Sequence, residues 1–200
     1  MKPLLVFGLR GTLLERIHAS RIPPGMPESA MTVGMSRVWL RPGVMEALQA
    51  LQPHCHLAVW SSTTARNTNP LMEAVFHRNS GSAPAVRFEF VWSREHTTSD
   101  EFRRAAATSR EDQHATVKDL REVYRRFPEI ASPRNTVLID DTPSKGKPNA
   151  ANFLWLETCE ELKIENAQVM PALRRFVEEK LLAEKEDVRR LLPVRIPWDV

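Results

Sequence analysis

The chain has little of what would tie it to a membrane, a metal cluster or a disulfide framework. Its 200 residues contain only two cysteines, Cys55 and Cys159, and neither sits in a CxxC pair. That spacing excludes a disulfide scaffold or a cysteine zinc site and fits a reducing, intracellular setting. No apolar run reaches the length of a membrane span. The first apolar run starts within five residues of Met1, which leaves no room for a signal or transit peptide ahead of it. One tyrosine and seven glycines stand against fifteen prolines, so defined turns are expected rather than flexible linkers. Neither charge sign dominates: 28 basic and 25 acidic residues leave a net charge of +3. A polyanionic partner is permitted but not demanded.

What remains has the composition of an ordinary globular protein, 42% hydrophobic and 26% charged. Short apolar runs alternate with amphipathic stretches. Strands are expected in residues 3–9, 38–40, 55–62, 86–93, 135–141 and 152–157, and helices in 42–54, 63–78, 117–127 and 167–192. Residues 18–37, rich in Pro, Ser, Met and Gly, read as a loop or lid, and 79–84 as a loop. Residues 94–116 read as a polar excursion with some helix, and 193–200 as an apolar tail without regular structure that anchors on the protein or on a partner. This alternation predicts an α/β fold with a mostly parallel sheet and helices on both faces. The expected division is a domain over 1–160 and a C-terminal helix and tail over 161–200, docked on that domain or on a partner.

Sites in such sheets lie at the carboxyl ends of strands, near the switch in strand order. That rule selects Gly8 to Thr12, Ser61 to Thr64, the neighbourhood of Lys118, and Asp140 to Thr142. Asp140 and Asp141 end a strand where a divalent cation could bind, or serve as a turn and helix cap. Ser61 and Ser62 could hold a phosphate at a helix start or merely cap it. Lys118 opens an amphipathic helix, where positive charge opposes the dipole and invites a partner. His54 and His56 lack the second ligand pair of a zinc site. Trp39, Trp60, Trp92 and Trp155 lie in strands and are expected in the core. Arginine pairs at Arg103/Arg104, Arg125/Arg126, Arg174/Arg175 and Arg189/Arg190 read as solvated helix faces or as phosphate contacts on RNA.

The segments "GTLL" (11–14), "LRPGVMEAL" (40–48), "VWSSTTARNTNPL" (59–71), "FVWSREHTT" (90–98), "TVKDLREVY" (116–124), "NTVLIDDTPSK" (135–145) and "NAANFLWL" (149–156) form an ordered series. Together they resemble the haloacid-dehalogenase-like phosphatases, in the branch of the polymerase C-terminal-domain phosphatases and NLI-interacting-factor-like proteins. The resemblance implies a DxDxT loop after the first strand, with a nucleophilic Asp, a general acid–base Asp, a phosphate-holding hydroxyl and lysine, and a later Asp on Mg²⁺. Thr12, Ser61, Lys118 and Asp140 fall at matching positions, with Asp141 beside them.

The two reactive positions depart from that pattern: Gly8 stands at the nucleophile and Arg10 at the acid–base. Glycine offers no attacking atom, and arginine stays protonated. The expectation is a catalytically inactive phosphatase fold, with Asp140 and Asp141 a metal remnant, Thr12, Ser61, Ser62 and Lys118 a phosphate-binding remnant, and no cofactor. An internal salt bridge from Arg10 to Asp140 or Asp141 is expected to replace the metal. The implied role is a structural or binding subunit of a larger protein assembly, with a ribonucleoprotein such as a mitochondrial ribosome or its assembly machinery as one candidate, and no DNA partner. The compartment, mitochondrial matrix or cytoplasm, stays open. The alternatives are an Mg²⁺-dependent phosphatase with a different nucleophile, such as water positioned by Asp140, and a module binding phosphorylated ligands.

Overall fold

A computed structural model describes residues 1–77, 85–160 and 163–200. β1 (Leu4–Phe7) is followed by β2 (Leu14–His18), β3 (Met31–Val33), β4 (Ser36–Leu40), α1 (Val44–Leu51), β5 (His56–Trp60) and α2 (Ala65–Met72). Next come β6 (Val91–Trp92), β7 (Thr98–Ser99), α3 (Glu101–Ala105), α4 (Arg110–Gln113), β8 (Thr116–Val117) and α5 (Leu120–Arg126). β9 (Thr136–Asp140), β10 (Phe153–Leu156), α6 (Val169–Phe176) and β11 (Val194–Ile196) close the order. Single π-helical turns, Glu73–His77 and Val177–Leu181, extend α2 and α6.

Six strands form one parallel sheet in the order β11-β10-β9-β1-β5-β6. The chain builds outward from β1 in one direction through β5 and β6, then returns to lay β9, β10 and β11 on the other side. The strand order therefore switches beside β1, the place such sheets use for sites. β1 is buried on both faces, as a central parallel strand requires. Its alternate side chains divide between two cores. Leu5 and Phe7 join α1, α2 and α6 through Leu48, Leu51, Leu71 and Leu173. Leu4 and Val6 join α5 and an aromatic cluster through Leu120, Val123, Trp60 and Trp92. The α/β architecture with helices on both faces is thus present.

Three expectations change. Residues 18–37 are not one loop: β3 and β4 form a hairpin whose two-residue turn holds Gly34 at φ +57°, and β2 pairs on the other side of β4. Buried Ser36 and Val38 alternate with exposed Arg37, a strand period that the turn-forming residues around it obscured. The run over 86–93 supplies only the short β6. The tail is not irregular: Val194–Ile196 adds β11 to the sheet edge in parallel register with β10. Trp198 lies beyond it with its ring 5.4 Å from Trp155, half exposed. The loop expected over 79–84 lies outside the described residues. The other three tryptophans are buried as expected. Both cysteines are free and buried, His56 Nδ1 meets Glu89 Oε1 at 2.6 Å, and no group among the described residues could gather three metal ligands.

Candidate functional site

The carboxyl ends of β1, β5 and β9 open into a cleft of about 560 Å³. Leu9, Arg10 and Gly11 line it from the β1 loop, Ser61, Ser62 and Thr63 from the β5 end, and Asp140, Asp141 and Thr142 from the β9 end. Lys118 reaches it from the segment between β8 and α5. The sequence positions singled out for chemistry do converge here, with Gly8 and Thr12 beneath the surface of the same loop.

Lys118 Nζ donates to Asp140 Oδ2 at 2.5 Å, and the two side chains are only 1% and 4% exposed. The other Asp140 oxygen accepts from the Thr142 N–H at 3.0 Å. Lys118 does not begin the helix: Asp119 caps α5 by accepting from the Arg121 N–H, and Lys118 stands one residue outside. Its partner is the buried carboxylate, so the dipole argument does not apply to it.

Gly8 lies directly under this pair. A Cβ at position 8 would stand 2.7 Å from Asp140 Oδ2 and 2.5 Å from Thr12 Oγ1, closer than real Cβ contacts. Its φ is not positive, so glycine is required here by close approach alone. Thr12 Oγ1 accepts the Asp141 N–H and donates to Asp141 Oδ1, each at 3.3 Å, and the Thr158 hydroxyl donates to Asp141 Oδ2 at 3.1 Å. Burial, and then the neighbouring Asp140 charge, push the Asp141 carboxyl up to about 6.

Arg10 does not bridge to either aspartate. Its Nε donates to Glu15 Oε1 at 2.7 Å, with the guanidinium 57% exposed. The chain reverses between Arg10 and β2, so Glu15 is the nearer carboxylate. The internal ion pair expected at the metal position exists, but Lys118 makes it.

These residues do not fit a divalent cation. Hard cations take six or more oxygens, usually with at least one carboxylate committed to them. Here both Asp140 oxygens are engaged by an ammonium and an amide. Both Asp141 oxygens accept hydroxyl protons, and no third carboxylate joins them among the described residues. The phosphate-holding side is also turned inward. Ser61 Oγ and Thr63 Oγ1 are hydrogen-bonded at 2.9 Å, and the Thr63 N–H donates to Ser61 Oγ. In the β1 loop the N–H groups of Gly8, Gly11 and Thr12 donate to the carbonyls of Ile139, Leu14 and Leu9.

Two residues that sequence reasoning passed over matter here. Arg41 is buried and straps the loop: Nε donates to Thr12 O at 2.5 Å, and Nη2 to Gly11 O at 2.8 Å and Glu157 O at 2.5 Å. Burial lowers its pKa, and no carboxylate is bonded to it. The sole signal was its place at the end of a strand, before a proline–glycine turn. Lys145 lines the cleft and is pushed down to about 8, first by burial and then by the Lys118 charge. Nothing in "TPSKGK" distinguishes it from Lys147.

Six of the eight arginines in the pairs meet local carboxylates, and Arg104 Nε donates to the Ala115 carbonyl instead. Arg103 meets Asp112, Arg125 and Arg126 share Glu122, Arg174 meets Glu178, Arg189 meets Asp187 and Arg190 meets Glu186. No described helix is long and apolar enough to cross a membrane.

A family model described as NLI interacting factor-like phosphatase matches residues 3–189. Among solved structures, the chain is similar to Fcp1, an essential RNA polymerase II CTD phosphatase, with 17% identity and a TM-score of 0.49 over 91% of this chain and 48% of that one. A substituted fission yeast Fcp1 bound to beryllium fluoride gives 14% identity and a TM-score of 0.49 over 95% of this chain and 60% of that one. A predicted phosphoglycolate phosphatase from Haemophilus somnus gives 13% identity and a TM-score of 0.48 over 78% of this chain and 85% of that one. The chain thus spans 48% and 60% of the two Fcp1 chains. No curated protein matches it in sequence.

Proposed function

We propose that this chain, which belongs to the NLI interacting factor-like phosphatase family, is a pseudophosphatase that uses the phosphatase fold as a binding module within a larger assembly. The observation that carries the reading is the filled nucleophile position. Thr12 Oγ1 and Asp140 Oδ2 occupy the space that a side chain at residue 8 would need, and Lys118 holds Asp140 there. Covalent phosphoryl transfer needs a nucleophile aimed at phosphorus, and none of the groups in this loop offers one. The acid–base position holds a guanidinium, which cannot exchange protons near neutral pH. Lys118, and the Arg10 guanidinium of the β1 loop, are spent on Asp140 and Glu15.

A protein assembly, including a ribonucleoprotein such as a ribosome or its assembly machinery, is the proposed setting. A module that does no chemistry acts only through what it holds.

The test is hydrolysis of a generic phosphomonoester by the intact chain with Mg²⁺ present. No turnover above buffer is expected. Turnover that Asp140→Asn abolishes overturns the reading. Gly8→Asp with Arg10→Asp is expected to stay inactive, because a side chain at position 8 collides with Thr12 and with the Asp140 carboxylate that Lys118 holds. Size analysis of the endogenous protein addresses the assembly: migration in a large particle is expected, and migration as a lone monomer overturns that part.

A further inference from the structure

Five cationic side chains line the cleft, and three are answered by carboxylates: Arg10 by Glu15, Arg103 by Asp112 and Lys118 by Asp140. Arg94 and Lys145 are not. Arg94 Nη2 donates to the His114 carbonyl at 2.6 Å, and Lys145 Nζ to Thr116 Oγ1 at 3.1 Å. Among the described residues neither makes an ion pair, and Lys145 feels the Asp140 charge only at longer range. Seven arginines elsewhere on the surface fold onto carboxylates two to four residues away. Burial of Lys145 beside Lys118 makes its charge costly, and an incoming anion would relieve that cost.

The free groups also select the kind of anion. A tetrahedral phosphate is held by converging hydroxyls, loop amides and a lysine. Here Ser61, Thr63, Lys118 and the loop amides of Gly8, Gly11 and Thr12 are bonded internally. The cleft cations without an ion pair among the described residues are a guanidinium and an ammonium, Arg94 and Lys145, and the Asp140–Asp141 floor repels a dianion that settles deeply. A planar monoanion meets both cations and avoids the floor.

We infer that the cleft receives carboxylate side chains from an acidic segment of a partner protein, held by Arg94 and Lys145. The inference rests on the binding-module reading and names the chemistry of what is bound.

The experiment follows fluorescence anisotropy of a fluorescein-labelled polyglutamate peptide titrated with the intact chain at low salt. Binding is expected, weakening roughly tenfold in Lys145→Gln and in Arg94→Gln. Arg174→Gln, the same charge loss on a remote helix, is expected to leave it unchanged. A polyglutamine peptide is expected not to bind. Circular dichroism of each variant separates lost binding from lost folding. The inference is overturned by absent binding, by binding that Arg174→Gln weakens as much as Lys145→Gln does, or by a phosphoserine peptide that binds tighter and loses that advantage in Ser61→Ala. Phosphomonoester turnover overturns the inactive-site reading alone, and its outcome is read in a separate assay.

Discussion

At the residue scale, the Lys118–Asp140 pair controls what the site can be. Two charges this deeply buried are tolerated only together. Removing one strands the other: Lys118→Met is expected to cost about 3–5 kcal/mol by urea denaturation. The double substitution Lys118→Met with Asp140→Leu removes both charges and is expected to recover most of that loss, approaching wild-type stability. Asp141 sets a pH dependence. In the folded protein its carboxyl titrates near about 6, against about 3.9 for an unperturbed aspartate. Between those values the folded state binds more protons than the unfolded chain, so stability falls as pH rises through the window. Above it, the ionised group costs on the order of 3 kcal/mol. Asp141→Asn, which keeps an acceptor oxygen for Thr12 or Thr158, is expected to raise the urea midpoint at about pH 8 and to lose that advantage by about pH 4. A midpoint difference that does not change with pH would contradict the assignment.

The same scale shows how far sequence reading reaches. Ser61, Lys118, Asp140 and Asp141 were legible as one site because strand ends in a parallel sheet converge. Arg10 was not, since two aspartates and Glu15 all lay within plausible reach. Only the reversal of the chain into β2 puts Glu15 first.

At the element scale, the β1 loop is held by groups remote in sequence. Gly11 adopts φ +79° and packs against the Asp141 carboxylate, so any Cβ there is strained twice. Arg41 ties the carbonyls of Gly11 and Thr12 to that of Glu157, linking the loop to the end of β10. The sheet's far edge is β11, which covers β10 and fills the core through Val194 and Ile196. Ile196→Ala is expected to cost about 2–5 kcal/mol, because Ile196 is fully buried. The check is chemical denaturation. A surface-like loss of under about 0.5 kcal/mol would mean that the strand is not docked in solution. β11 escaped the sequence reading because three residues between two prolines carry no periodicity. The β2–β4–β3 sheet escaped it because its turn residues outweighed its short alternating stretches.

At the scale of the whole molecule, the C-terminal forty residues are part of the core. α6 contributes Val169, Met170, Leu173 and Phe176 to the same cluster as β1, and β11 completes the sheet. A chain ending at residue 160 is therefore expected not to fold: its far-UV circular dichroism should lack the cooperative thermal transition expected of the intact chain. A cooperative transition in the fragment would contradict this.

Sequence by itself determined the α/β class, the family and the convergence of the strand ends, and it puts Gly8 and Arg10 in the loop after β1. These depend on local periodicity, on motif order and on which atoms a side chain has. Tertiary structure alone decided which charges pair. Lys118 took Asp140, Arg10 took Glu15, and Arg94 and Lys145 were left without an ion pair among the described residues. Pairing follows distance and burial in three dimensions, and neither can be read from separation along the chain.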